Sequence, residues 1–183
     1  MIPLIEEKLS NFTARTMESP QDISAGVLIP IFEKDGETFI ILTKRTENVK
    51  SHKGEVSFPG GMFEARDCCK LNTALRECSE EIGLNTVDVK VVGKLDDMTT
   101  LTGFVISPYV GIVPYPYNFT MNPCEVAYII QLPLKFLMNA SPAIEMHEYG
   151  GRVEEIPSFH YNGDRIWGAT CRMLLQLRKI LKS

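Results

Sequence analysis

The stretch that decides the fold runs from Arg76 to Leu84 and reads RECSEEIGL. It ends a longer segment, 70–82, whose residues KLNTALRECSEEI have the spacing of an amphipathic helix. Gly83 follows at once, and a glycine at this position can end a helix. One side of the predicted helix carries the apolar residues that we expect to face the core: Leu71, Leu75, Cys78 and Ile82.

Another side of the same helix carries three carboxylates. Glu77, Glu80 and Glu81 have the spacing that makes side chains neighbours on a helix. Like charges this close cost the helix about 0.2–0.5 kcal/mol per pair, and a bound cation would reverse the sign. Carboxylate oxygens are the ligands that Mg²⁺ and Mn²⁺ prefer. By itself, the pattern also fits a solvated acidic surface.

A pair of glycines lies a short way upstream, in Phe58-Pro59-Gly60-Gly61. Glycine lets the backbone approach a neighbouring group closely, because it has no side chain. Alone, a Pro-Gly-Gly run predicts only a turn. The glycine pair followed by the acidic helix is far more specific than either half.

Taken together, these residues resemble the signature of the Nudix hydrolases. The second half of that signature, Arg-Glu-apolar-x-Glu-Glu-x-Gly-apolar, fits at every fixed position. The first half departs from the general pattern, because Gly61 and Arg76 are one residue further apart. Asp67 stands about where the signature has its first glutamate.

The longer spacing between Gly61 and Arg76 resembles that of one branch of the superfamily, the coenzyme A diphosphatases. That branch has an upstream motif, which this chain matches as ILTKRT at 41–46, then Lys50, Gly54 and the glycine pair at 60–61, with every gap of the right length. Lys50 replaces an arginine, so it keeps the charge and loses the planar fork. Because 166–170 resembles the family's C-terminal helix, the resemblance covers about 24–180.

The fold class predicted from the residues is α+β, since several strand-like runs accompany about three helices. The resemblance implies a Nudix fold: an α/β/α sandwich with a mixed sheet and a loop-helix-loop Nudix box. We expect one domain over 1–183, with its core at about 24–180 and an N-terminal extension at 1–22. Strands are predicted at 23–32, 38–43, 87–95, 104–114 and 126–132, a hairpin turn at Asp35-Gly36, and further helices at 2–16, 133–138 and 164–181.

The resemblance implies an enzyme that hydrolyses the diphosphate bond of coenzyme A and its thioesters. The products would be 3′,5′-ADP and 4′-phosphopantetheine or its acyl form. Mg²⁺ or Mn²⁺ is the implied cofactor, since a divalent ion neutralises phosphate oxygens and activates water. Two alternatives stay open: another nucleoside diphosphate derivative as substrate, such as ADP-ribose or a dinucleotide, and a non-catalytic nucleotide-binding module.

Site residues follow from the resemblance position by position. Its metal ligands would be Glu77, Glu81 and Glu80, bordered by the backbone of Gly60 and Gly61. Arg76 is expected to pair with an acidic neighbour and to hold the loop to the helix. A further glutamate, Glu125 in the run Asn-Pro-Cys-Glu-Val, could serve as ligand or base, and a glutamate of the box is the alternative base. The implied catalytic set is therefore Glu77, Glu80, Glu125 and Arg76.

The loop 41–61 is net positive inside an acidic protein, with four basic and two acidic side chains, 4 − 2 = +2. We interpret it as a cradle for the phosphates of the substrate, with a solvated loop as the alternative. The expected substrate-binding residues are Arg45, Lys44, Lys50, Gly60 and Gly61.

The composition excludes several other classes of protein function. The 183 residues carry a net charge of −4, which disfavours nonspecific binding to nucleic acid or membranes. The five cysteines form no Cys-x-x-Cys pair, so we expect reduced thiols and a cytoplasmic location. Acidic residues in 1–8 argue against a secretory signal. The expected partner is a small-molecule substrate, and a homodimer stays open.

Overall fold

A central hairpin organises the computed structural model, which describes residues 1–17, 23–49, 52–100, 103–149 and 152–183. Its strands are β1 (Ser24–Lys34) and β2 (Glu37–Arg45). The two turn residues, Asp35 and Gly36, have φ angles of 51° and 77°. Two positive φ angles give a turn whose twist matches that of the strands, so the hairpin predicted at Asp35-Gly36 is confirmed.

The main sheet is built around this hairpin and contains both strand directions. Its strand order is β3-β2-β1-β7-β5, and β4 also pairs with β1, β6 with β7 and β8 with β2. Only the pairing of β1 with β7 is parallel among the described strands, so the sheet is mixed. The added strands are β3 (Val56–Ser57), β4 (Gly60–Met62), β5 (Lys90–Lys94), β6 (Met98–Thr99), β7 (Val105–Ile112) and β8 (Val126–Pro133).

Helices cover both faces of this sheet. Helix α2 (Lys70–Ile82) packs on one face against alternate residues of the hairpin, such as Leu28 and Ile41. The opposite face, which includes Ile29 and Ile40, packs against three helices. These are α1 (Ile2–Ser10), α3 (Leu134–Asn139) and α4 (Gly168–Lys182). The predicted α/β/α arrangement is therefore confirmed, and the helix predicted at 70–82 has those bounds.

A second sheet of three strands precedes α4. It contains β9 (Ala143–Tyr149), β10 (Arg152–Tyr161) and β11 (Asp164–Trp167), all antiparallel. The helix predicted from residue 164 is wrong over its first turn. Asn162 and Gly163 have positive φ angles and form a tight turn, so the next residues pair with β10 before the helix begins.

Two other boundaries differ from the prediction by three residues or more. The strand predicted from residue 87 begins at Lys90, because Thr86–Asp88 forms a 3-10 turn. Helix α1 ends at Ser10, and the chain beyond it is held by side chains of the main domain. The backbone N–H of Arg15 donates to Asp96 Oδ1 at 2.8 Å. None of the helices in the described ranges is long and apolar enough to cross a membrane.

Helix α2 approaches the sheet closely at Gly26 of β1. A Cβ atom at this position would overlap the backbone carbonyl oxygen of Lys70, in the first turn of α2. Because backbone atoms cannot move aside as a flexible side chain can, an alanine at residue 26 has to push the helix away from the sheet.

We therefore expect Gly26→Ala to lower the free energy of unfolding by at least about 2 kcal/mol, measured by urea denaturation. The control is Gly36→Asn. Residue 36 has no heavy atom within 4 Å of an added Cβ, and asparagine tolerates its positive φ. Its effect should stay below about 1 kcal/mol. Equal decreases in the free energy of unfolding of the two variants would contradict close packing between residue 26 and α2.

Candidate active site

The three glutamates of α2 lie in three different environments. Glu81 is buried, with 1% of its surface exposed, and it lies beside Cys78 and Ile82 on the face that packs against the sheet. Glu77 is half-buried and Glu80 is exposed. The sequence predicts that all three carboxylates lie together on one side of the helix, away from the core. This prediction is wrong for Glu81. The buried face is centred on Ala74, so Leu71 and Leu75 are only partly covered.

Glu81 is a buried acid with incomplete hydrogen bonding. Its Oε1 atom lies 3.6 Å from Nη1 of Arg45, which comes from the end of β2. The backbone N–H of Gly60 also donates to the carboxylate. Its Oε2 atom is buried and has no hydrogen-bond partner among the described residues. Burial raises the pKa of Glu81 to about 8, the charge of Glu77 adds to the shift, and Arg45 opposes it.

Glu77 lies one helical turn before Glu81 and touches the glycine pair. Nη1 of Arg76 donates to its Oε1 atom at 2.8 Å. Burial raises the pKa of Glu77, and Arg76 opposes that shift. A Cβ atom on Gly61 would overlap the Glu77 carboxylate. A glycine is therefore required at residue 61 for the backbone of β4 to pass this close to the carboxylate.

Arg76 links the loop to the helix. Its Nε atom donates to Asp67 Oδ1 at 2.8 Å, and its Nη2 atom donates to Asp67 Oδ2 at 3.1 Å and to the Met62 carbonyl at 3.2 Å. Asp67 is buried and also accepts from the Thr73 hydroxyl at 2.9 Å. These bonds, the one from Arg76 first, hold the pKa of Asp67 well below its usual range. The acidic partner expected for Arg76 is Asp67.

Glu80 lies at the outer edge of this network. Its Oε2 atom accepts from Nη1 of Arg76 at 2.9 Å, and its Oε1 atom is 3.7 Å from Arg66. About half of its side chain, 49%, is exposed. Glu80 thus interacts with arginines on the solvent side of α2, whereas Glu81 lies against the sheet.

Glu125 comes from a different part of the chain and reaches the same region. It stands just before β8, and its backbone carbonyl accepts from the Thr46 N–H at 2.9 Å. Its negative charge raises the pKa values of both Glu77 and Glu81, so the three carboxylates lie within electrostatic reach. The side chain of Asn122 donates to Glu125 Oε1 at 3.1 Å. Asn122 was not expected in the site, although it begins the run that contains Glu125.

The two basic residues at the end of β2 face opposite sides of the sheet. Arg45 points to Glu81 on the α2 side. Nζ of Lys44 instead lies 2.9 Å from Oδ1 of Asp164, in β11. Successive residues of a strand alternate between faces, so one phosphate cradle cannot use both. The prediction of a shared cradle is therefore corrected at Lys44, and Lys50 lies outside the described residues.

The donor chemistry of this region fits a hard divalent ion. Its groups are carboxylates, and one buried oxygen of Glu81 lacks a partner. In the parts of the chain that the structure describes, however, no three histidine, cysteine, aspartate or glutamate side chains are gathered closely enough to hold a metal ion. The positive charge near the glutamates comes from Arg45, Arg66 and Arg76.

Comparison with known proteins shows the family of this chain. A family model described as NUDIX domain matches residues 22–133. A protein of Photorhabdus laumondii described as uncharacterized Nudix hydrolase NudL is 34% identical over 160 residues, which are 84% of this chain and 82% of that protein. The protein of the same description from Yersinia enterocolitica is 34% identical over 179 residues, 92% of this chain and 91% of its own.

Solved structures share the fold. The NUDIX domain of Shewanella oneidensis NrtR, in complex with ADP ribose, matches with a TM-score of 0.56 at 16% identity, over 96% of this chain and 97% of that chain. The Nudix hydrolase RenU of M. smegmatis matches with a TM-score of 0.53 at 16% identity, over 68% of this chain and 74% of its own. At these identities the likeness establishes the architecture alone.

The chain has a mixed sheet between helices and a loop-helix-loop that carries glutamates, as the Nudix fold does. The match to the family model and the two NudL relatives establishes that the chain belongs to the NUDIX domain family. It is an enzyme, a Nudix hydrolase, and its class of reaction is the hydrolysis of diphosphate bonds in nucleoside diphosphate derivatives. Nudix hydrolases generally use divalent metal ions.

The pair formed by Asp67 and Arg76 generates a prediction about stability. Removing one partner of a buried ion pair leaves the other uncompensated, so Asp67→Asn should lower the free energy of unfolding at pH 7 by about 3 kcal/mol. Because the pKa of Asp67 is lowered on folding, its contribution is complete above the unfolded-state pKa of about 4 and is lost as pH falls below it.

Urea unfolding of both proteins at pH 7 and below about pH 4 measures this difference. The deficit of Asp67→Asn should narrow at the lower pH. Asp35→Asn, in the exposed hairpin turn, serves as the control and should change little at either pH. A variant as stable as the wild type at pH 7 would show that the pair does not hold the loop to α2.

Proposed function

We propose that this enzyme hydrolyses the diphosphate bond of coenzyme A and its thioesters, with Mg²⁺ or Mn²⁺ as cofactor. One observation carries the proposal: the segment that resembles the coenzyme A branch forms the wall of the acidic site. Arg45 ends β2 and meets Glu81, while Gly60 and Gly61 in β4 contact Glu81 and Glu77. The position of Arg45, Gly60 and Gly61 beside these carboxylates supports a role for this part of the motif in binding the phosphates.

Glu77 and Glu81 are the proposed metal ligands. Both carboxylates are withdrawn from solvent, and Oε2 of Glu81 has no partner among the described residues. Glu80 is a less favourable ligand, because about half of its side chain, 49%, is exposed to solvent. A bound divalent ion would neutralise phosphate oxygens and lower the pKa of a water molecule.

Glu125 is the proposed general base. A base must be within reach of the attacking water while remaining able to accept a proton. No ion pair engages the Glu125 carboxylate among the described residues, whereas Glu77 and Glu80 bond Arg76 and Glu81 faces Arg45. Glu125 would accept a proton from the water molecule while that molecule attacks phosphorus. Arg76 would act only by fixing the loop to α2.

Arg45 is the proposed phosphate ligand. Its Nε atom is buried and has no partner among the described residues, although a guanidinium has donors in a fixed fork. The fork can donate to a phosphate oxygen while its charge remains close to Glu81. Because Lys44 faces the other side of the sheet, fewer cations remain to bind the 3′-phosphate of coenzyme A. The smaller number of cations favours ADP-ribose as the second candidate substrate.

Product analysis tests the proposed substrate directly. The purified protein is incubated with coenzyme A, ADP-ribose or a dinucleotide, with Mg²⁺, with Mn²⁺ and with a chelator, and the products are separated by chromatography. We expect 3′,5′-ADP from coenzyme A, formed faster than ADP-ribose is cleaved and only with a metal ion. Faster cleavage of ADP-ribose or the dinucleotide would reject coenzyme A and leave the enzyme class intact.

The opposite orientations of Arg45 and Lys44 generate a second prediction for the same reaction. Arg45→Gln should lower kcat/KM by about 100-fold, because it removes a donor at the phosphates. Its neighbour Lys44→Gln is the matched control and should leave kcat/KM unchanged, since Tyr128 still donates to Asp164. Steady-state kinetics on variants of equal thermal stability measures both. An equal loss in the two variants would contradict the assignment of Arg45 as a phosphate ligand.

A further inference from the structure

The loop before β8 is bonded to the end of α2. The last carbonyls of a helix have no partner within the helix, so other groups must supply donors. Here the Thr120 N–H donates to the carbonyl of Ile82 at 3.0 Å, and the Asn122 N–H donates to the carbonyl of Glu81 at 2.9 Å. The backbone of Asn122 is thus attached to the same residue whose buried carboxylate lies at the centre of the candidate site.

The side chain of Asn122 makes two further bonds with different roles. Its Oδ1 atom accepts from the Cys124 N–H at 3.1 Å, which closes a local turn. Its Nδ2 atom donates to Oε1 of Glu125 at 3.1 Å. The carbonyl of Asn122 accepts from the N–H groups of Glu125 at 3.0 Å and Val126 at 2.8 Å. Every polar group of this residue is therefore bonded to the site or to the turn that supports it.

The second anchor of this segment is Thr46, the residue that follows β2. The Thr46 N–H donates to the carbonyl of Glu125 at 2.9 Å, and the Thr46 hydroxyl donates to the carbonyl of Cys124 at 2.9 Å. Val126, the next residue, is buried in the core beneath α2. The backbone of Glu125 is therefore fixed from both sides, and Asn122 alone among these residues bonds its carboxylate through a side chain.

From these contacts we infer that Asn122 is a positioning residue, which orients the carboxylate of Glu125 towards Glu81 and ties it to the end of α2. The inference rests on the proposed function, since it takes Glu125 as the base. Asn122 touches neither substrate nor metal in this role. It acts through the position of Glu125, and a carboxylate free to rotate would spend less time in reach of the attacking water.

The variant Asn122→Asp separates the two roles of the side chain, which are closing the turn and bonding Glu125. Aspartate keeps the oxygen that closes the turn with Cys124 and loses the amide that donates to Glu125. We expect kcat to fall about 10- to 100-fold with little change in KM, while the melting temperature stays within about 2 °C. Asn139→Asp is the control, because the Asn139 amide donates to a backbone carbonyl in α3, away from the acidic site.

A double-mutant cycle with Glu125→Gln supplies the readout that a purely structural role would not give. If Asn122 acts only through Glu125, then Asn122→Asp should cause no further loss of kcat in the Glu125→Gln background. The same fractional loss in both backgrounds, or a wild-type kcat in Asn122→Asp, would overturn the inference. Full activity of Glu125→Gln alone would instead reject the proposed base, so the two failures are distinguishable.

Discussion

The close approach of α2 to β1 is the constraint on which the rest of the site depends. Gly26 lets the backbone of the first turns of α2, at Lys70 and Ala74, rest against the strand. Glu81 lies about two turns further along the same buried face of the helix. A carboxylate withdrawn from water needs positive charge or donors around it. Arg45 from β2 and the N–H of Gly60 supply them in part, and one oxygen of Glu81 stays unpartnered among the described residues. The site is thus organised to gain from an added cation.

Local patterns in the sequence were enough to predict the hairpin, the longer strands of the main sheet and the bounds of α2. Asp35-Gly36 predicts its turn because both residues tolerate positive φ. The helix 70–82 is predicted by apolar spacing and by Gly83, which takes the left-handed conformation with a φ of 68°. The resemblance also led to the glutamates of the box and to Glu125, and the structure brings Glu77, Glu81 and Glu125 within electrostatic reach of one another.

Other features depend on tertiary contacts that spacing cannot reveal. The order of burial among the glutamates follows from how α2 is rotated on the sheet, and the apolar residues Leu71 and Leu75 suggested a different rotation. Arg45 and Lys44 are adjacent in sequence, but β2 carries them to opposite faces. None of the three strands of the second sheet was predicted. The last of them, β11, was missed even though Asn162-Gly163 is a hairpin signal, because the apolar residues that follow also fit a helix.

The buried carboxylate of Glu81 is the proposed centre of a divalent-metal site. Electron paramagnetic resonance can follow the binding of Mn²⁺ to the wild type, to Glu81→Gln and to the exposed-residue control Glu37→Gln, without any substrate. We expect the wild type and Glu37→Gln to bind Mn²⁺ alike, and Glu81→Gln, folded to the same extent, to bind it at least about tenfold more weakly. Equal Mn²⁺ affinity in all three proteins would show that Glu81 is not a ligand of the metal ion.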